Sequence, residues 1–206
     1  MTDYFALLEE PRRPWPDPEA LKARFLALAA AIHPDRIHDA AEVEKQDATR
    51  RYAELNAAYN CLREPKERLL HLLVLERGSK PDDIHKIAPA TMDLFAEHSR
   101  LCREADAFLA DRARTSSPIL KVALLEKATV LTEQLNALRQ KLGGRLDALA
   151  DRIKELNMAW ESAPPVGSPT RIHCLPCGRL EHLYREFSYL TRWSRQIQER
   201  IVQLSF

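Results

Sequence analysis

Glycine is scarce in this chain, with 5 residues among 206. Thr, Val and Ile are thin as well, while Leu and Ala are abundant. That balance argues against a sheet-based fold and favours an all-α protein. A charge excess is also missing: 31 basic residues face 30 acidic ones, for a net charge of +1. No global basic field exists to hold nucleic acid. The longest apolar run, Phe25 to Ile32, is far short of the roughly 20 residues that cross a bilayer. The N-terminus carries acidic residues early and has no apolar h-region, so neither a signal peptide nor a membrane partner is expected. The four cysteines are scattered and show no disulfide framework. They read as reduced thiols in a cytoplasmic protein. The length allows one domain or two small ones.

What is present is helical periodicity. Leu21, Phe25, Leu28 and Ile32 recur at spacings of four, three and four. Ala48, Tyr52, Leu55, Tyr59 and Leu62 do the same. Each set is one apolar stripe. Asp17-Pro18-Glu19 reads as the start of the first helix, with a cap, a proline at the first helical position and an acid at the positive dipole end. The second helix is expected from near Glu42 to near Arg63, stopped by Pro65, with a short helix over 66–77 after it. Two stripes joined by a short polar loop pack as an antiparallel hairpin. His33-Pro34-Asp35 falls in that loop. Pro34 stops the first helix and fixes the backbone. Asp35 can accept hydrogen bonds or pair with a cation, and His33 can donate. Packing alone requires none of these three, so the tripeptide points to recognition by a partner.

The surrounding residues resemble a J domain. Asp3-Tyr4-Phe5-Ala6-Leu7-Leu8 is similar to its opening. Leu55-Asn56-Ala57-Ala58-Tyr59 with Leu62 is similar to the end of its third helix. Leu62-Arg63-Glu64-Pro65 followed by Arg68-Leu69-Leu70 resembles its closing segment. The resemblance covers roughly residues 1–75. It implies docking on a DnaK-type ATPase chaperone, stimulation of that partner's ATP hydrolysis and no enzymatic chemistry in this chain. The implied docking residues are His33, Pro34 and Asp35, with Lys22, Arg24, Arg36 and Arg51 as flanking cations. J domains carry basic residues on the outer face of the helix before the loop. Here that face holds Ala23, Ala27, Ala30 and Ala31.

Residues 78–90 open with Gly78-Ser79-Lys80-Pro81-Asp82-Asp83 and read as a linker. The expected division is a J domain over 1–77, this linker, and an antiparallel helical bundle over 91–206. In the bundle, Leu94, Leu101, Ala105, Phe108 and Leu109 give one stripe. Leu124, Ala128, Leu131, Leu135, Leu138 and Leu142 form a regular seam whose phase continues through Leu146, Leu149, Ile153, Leu156 and Trp160. Gly143-Gly144 interrupts it, at a cost of about 2 kcal/mol within a helix. The pattern fits one long helix bent there, or a hairpin. The seam fits intramolecular core, or a self-associating coiled coil. A last helix is expected from about Gly178 to Gln203.

His173-Cys174-Leu175-Pro176-Cys177, with His182 beyond, has the spacing of a shared soft metal ion or a redox pair. A structural zinc site would ordinarily need a second pair, and the bland reading is a proline-containing loop with incidental cysteines. No cofactor is expected. Leu183-Tyr184-Arg185 is of a tripeptide type known in iron–sulfur recipient proteins, but it falls in a helical stripe and reads as core.

No Gly/Phe-rich linker and no repeated cysteine pairs follow the J-like segment. A J domain at the extreme N-terminus followed directly by a small helical bundle resembles the HscB family, which delivers the iron–sulfur scaffold IscU to an HscA-type chaperone. The resemblance implies a client surface at Phe95, Ala96 and Ser99 with Tyr189. Ser99 and Arg100 stand where a Leu and an acid would be expected. The other readings are a J-domain adaptor for a different client, a degenerate J-like interaction protein, and a metal or redox protein using Cys174 and Cys177.

Overall fold

The computed structural model describes residues 1–32, 41–81, 91–115 and 118–205. Its regular elements are all helical: α1 (Tyr4–Leu7), α2 (Pro18–Ala31), α3 (Glu42–Arg63), α4 (Pro65–Arg77), α5 (Met92–Arg114), α6 (Pro118–Glu155), α7 (Asn157–Glu161), α8 (Arg171–Cys174) and α9 (Cys177–Leu204). Local chemistry sets many of the ends. The Asp17 carboxylate accepts from the Ala20 N–H at 2.8 Å, and Pro18 opens α2. The Asp3 carboxylate caps α1 in the same way. Pro65 cannot continue the ladder of α3 and instead opens α4. Gly78 closes α4 at φ 77°, its N–H bonded to the Val74 carbonyl.

Packing divides the chain into two compact units, Met1–Asp82 with Arg152–Tyr184, and Asp83–Asp151 with Arg185–Phe206. Residues 152–184, assigned above to the C-terminal bundle, pack with the N-terminal helices.

In the first unit Phe5, Leu8, Leu21, Leu55, Ala58, Leu62, Leu69, Leu72 and Leu73 form a closed core. The Phe25 and Tyr59 rings stack at 4.3 Å across α2 and α3. His71 is buried, and its Nε2 accepts the Tyr4 N–H at 3.1 Å. Polar ties bind residues 152–184 to this core. The Asn157 amide accepts from the Trp15 N–H at 2.9 Å and donates to the Trp15 carbonyl at 2.7 Å. Arg171 makes a forked pair with buried Glu76 at 2.9 and 2.8 Å and donates to the Pro164 carbonyl. Ile153, Leu156 and Trp160 are buried beside these ties.

The second unit is a bundle of α5, most of α6 and most of α9. Lys141 on α6 pairs with Glu97 on α5 at 2.8 Å, and Lys127 lies over the Phe108 ring. Those two contacts run in opposite directions along the two chains, so α6 is antiparallel to α5. Arg200 pairs with Asp106 at 2.8 Å, and Arg112 donates to the carbonyls of Gln203 and Leu204. These run in the same direction, so α5 and α9 are parallel, as alternation requires. The long seam settles as intramolecular core: Ala128, Leu131, Leu135, Leu138, Leu142 and Leu149 are all buried. Helix α6 runs through Gly143 and Gly144 without a break, so the continuous-helix reading is the observed one.

Candidate functional site

Helix α2 meets α3 with its beginning beside the other's end, since Pro18 and Leu21 share a surface cleft with Tyr59 and Arg63. The hairpin is therefore antiparallel. His33, Pro34, Asp35 and Arg36 lie outside the described residues. The flanking cations are placed as follows. Lys22 and Arg51 are exposed. Arg24 is not a free surface charge: it pairs with the Glu10 carboxylate at 3.1 Å and donates to the Glu9 carbonyl. Glu9 has φ 53°, and buried Glu10 also takes Arg13 at 2.5 Å, so Arg24 helps hold the turn after α1. The outer face of α2 is apolar, with exposed Ala23, Ala27, Ala30 and Ala31 and with Leu26 at 54% exposure. Sequence reading missed Leu26. Its signal was that it falls outside the apolar stripe of Leu21, Phe25 and Leu28, which the structure turns inward with Leu21 buried and the other two half-buried.

A second cluster forms in the bundle. Trp193 on α9 gathers three rings around it: Phe95 at 5.6 Å, His98 at 5.5 Å and Tyr189 at 6.1 Å between centroids. Phe95 and Tyr189 are thereby brought together. Phe95 is 37% exposed, Tyr189 is half-buried, and the Arg192 guanidinium lies 5.4 Å over the Tyr189 ring. Ala96 is exposed and Ser99 half-buried on the same helix. Arg100 pairs with Glu104 at 2.8 Å. His98 is buried, with its Nε2 3.4 Å from the Cys102 Sγ. Burial, reinforced by the Arg200 charge, pushes its pKa below the usual histidine range, so the ring is neutral near pH 7. Sequence reading missed His98, although it sits four residues after Leu94 and three before Leu101, in phase with the α5 stripe.

The cysteine motif does not gather into a site. Cys174 ends α8 and is exposed, whereas Cys177 begins α9 and is buried. Burial pushes the Cys177 thiol pKa up, which disfavours the thiolate that both metal binding and exchange chemistry need. His173 and His182 are exposed. Among the described residues no three His, Cys, Asp or Glu side chains converge as a metal site would require. Leu183 is buried, as its stripe predicts. No helix among the described residues is long and apolar enough to cross a membrane.

No protein-family model matches the chain. Solved structures do match it over almost its whole length. The chaperone HscB from Vibrio cholerae is 19% identical with a TM-score of 0.62, covering 98% of this chain and 99% of that one. The human co-chaperone protein HscB is likewise 19% identical with a TM-score of 0.60, covering 98% of this chain and 81% of that one. The fold of this chain is that of the HscB chaperones, from its N-terminal hairpin to its final helix.

Proposed function

We propose that this protein is a cytoplasmic co-chaperone that docks on a DnaK- or HscA-type ATPase and stimulates its ATP hydrolysis, without catalysing a reaction itself. One observation carries the reading: His33-Pro34-Asp35 falls in the connection between α2 and α3, in a chain with the HscB fold. Pro34 restricts the backbone, Asp35 offers a carboxylate to a partner cation, and His33 offers a donor. Lys22, Arg36 and Arg51 steer the encounter. Arg24, tied to Glu10, shapes the surface more than it charges it. The apolar outer face of α2 adds desolvation at contact. In single-turnover ATPase assays the wild-type chain is expected to accelerate hydrolysis by its partner, and Asp35→Asn is expected to abolish the acceleration. Unchanged stimulation by that variant would overturn the role of the tripeptide.

The client in this proposal is an IscU-like iron–sulfur scaffold, bound at Phe95, Ala96, Ser99 and Tyr189. The aromatic group on Trp193 supports it, because it offers a preformed, partly exposed apolar anchor of the kind that carries interface energy. Titration of the full chain with the host's scaffold protein tests it. Phe95→Ala and Tyr189→Ala are each expected to weaken binding at least tenfold. Binding that survives both discredits the surface, and no binding at micromolar concentrations leaves a J-domain adaptor for another client.

A further inference from the structure

The first unit holds two buried arginines in opposite electrostatic situations. Arg171 is neutralised by its forked pair with Glu76. Arg68 is 4% exposed and forms no ion pair among the described residues, although the Glu64 carboxylate acts on it at longer range. Its Nε donates to the Pro14 carbonyl at 2.9 Å and its Nη1 to the Leu62 carbonyl at 2.7 Å. Its Nη2 is buried without a partner, and its guanidinium lies 4.7 Å over the Trp15 ring. The pKa values follow this contrast. Burial lowers that of Arg68 to about 10, while the Glu76 hydrogen bond raises that of Arg171. A buried cation bound only to neutral acceptors is costly, and an anion would relieve that cost.

Arg68 lines an open cleft of about 290 Å³ where the start of α2, the end of α3 and the start of α4 meet. Trp15 and Tyr59 provide aromatic walls, with Pro16, Pro18 and Pro65 beside them. The charged lining residues are Lys22, Arg63 and Arg68 against Glu19, and Arg63 also pairs with Glu64 at 3.7 Å, which leaves a surplus of one positive charge at the cleft. The cleft lies at the far end of α2 from Ile32, about 20 Å along a helix of 14 residues. It is therefore separate from the tripeptide connection.

We propose that this cleft is a docking site for an acidic peptide segment of a partner protein, which places a carboxylate at the Arg68 and Arg63 guanidinium groups and an adjacent apolar side chain along the edges of the Trp15 and Tyr59 rings, whose faces carry Arg68, Lys154, Phe25 and Arg63. The aromatic and proline walls fit an extended segment with an apolar residue beside its acid. A bare inorganic anion would use the charge and leave the walls empty. The single buried fork and the acid Glu19 at the same cleft suit a monoanion better than a phosphate dianion. The site stands apart from the co-chaperone reading, because neither depends on the other.

The test follows the Trp15 indole and Arg68 Nε–H resonances of the full-length protein by NMR. The probes are the capped peptide acetyl-Pro-Leu-Asp-amide, its Asn counterpart and inorganic phosphate. The acidic peptide is expected to shift both resonances saturably, and the Asn peptide to bind at least tenfold more weakly. Arg63→Glu, a change at an exposed side chain, is expected to weaken the acidic peptide at least tenfold with the helical content unchanged. Arg68→Lys should do the same if it folds, and Arg63→Glu keeps the test decisive if it does not. Equal binding of the two peptides, absence of any shift at millimolar peptide, or indifference to Arg63→Glu would overturn the proposal. So would phosphate binding as tightly as the peptide, which would mark a general anion site. Asp35→Asn, which probes the co-chaperone reading, should leave this binding intact.

Discussion

His71 shows how one residue sets a condition on the fold. Its Nε2 accepts the Tyr4 N–H, and its ring stacks on Tyr4 at 4.6 Å. The hydrogen bond demands an unprotonated Nε2. Burial depresses its pKa below 6.5, against a smaller opposing effect from Asp3. The unfolded chain therefore binds the proton more readily than the folded one. The stability this provides is complete above about pH 6.5 and is lost as pH falls toward the depressed folded value. His98 is shifted in the same direction and adds to the slope. Each tenfold difference in proton affinity corresponds to about 1.4 kcal/mol. Denaturant unfolding at pH 7.5 and 5.5 should show lower stability at the acid pH. His71→Gln, which keeps an acceptor but does not titrate there, should make the difference smaller. A pH difference equal to that of the wild type would show that His71 does not contribute.

At the scale of the element, α6 carries an avoidable weakness. Gly143 and Gly144 lie inside a continuous helix, and a Cβ at either position would meet no atom within 4 Å. Neither glycine has positive φ, so neither is required by the backbone. Alanine should stabilise α6 by about 1 kcal/mol at each site, through lower backbone entropy in the unfolded chain. Thermal unfolding of the double Ala variant should show a raised midpoint. A lowered midpoint would show that the glycines serve something the static packing does not reveal. The exposed face of α2 makes a related point. Its alanines favour the helix and leave Leu26 standing above them, so the outer face of α2 is apolar.

For the whole molecule, the proposed division is a J module ending near residue 77 and a linker over 78–90, with residues 152–184 packed in the N-terminal unit and the bundle formed by the rest. Limited proteolysis should cut first within 78–90. Protection of that segment, with first cleavage elsewhere, would count against it. A fragment ending at Asp82 is a sharper probe. It would keep the J-like sequence but lose residues 152–184, and with them Asn157 against Trp15 and Arg171 against Glu76. Glu76 would then lose its forked partner, and removing one side of a buried ion pair costs about 3–5 kcal/mol. The fragment should therefore unfold at lower denaturant than the same residues in the full chain, as followed by the Trp15 environment.

The sequence by itself determined the elements. Asp17 with Pro18, Pro65 and Gly78 mark ends that the structure reproduces, because capping and proline geometry act within one turn. The apolar stripes named the buried faces correctly for the same reason, since periods of three and four are local. The seam across Gly143-Gly144 left a continuous helix and a hairpin both open, because two glycines weaken a helix without forbidding it. Tertiary packing decided what local pattern could not. It sent residues 152–184 to the N-terminal helices, through a pair between Arg171 and Glu76, 95 positions apart. It paired Arg24 with Glu10, 14 positions away, and gathered Phe95, His98 and Tyr189 on Trp193. It also gave Arg171 a carboxylate partner and, among the described residues, left Arg68 without one in direct contact. Both are arginines in a charge-balanced sequence, and only the burial and company of each guanidinium distinguish a forked ion pair from a cation held by backbone carbonyls.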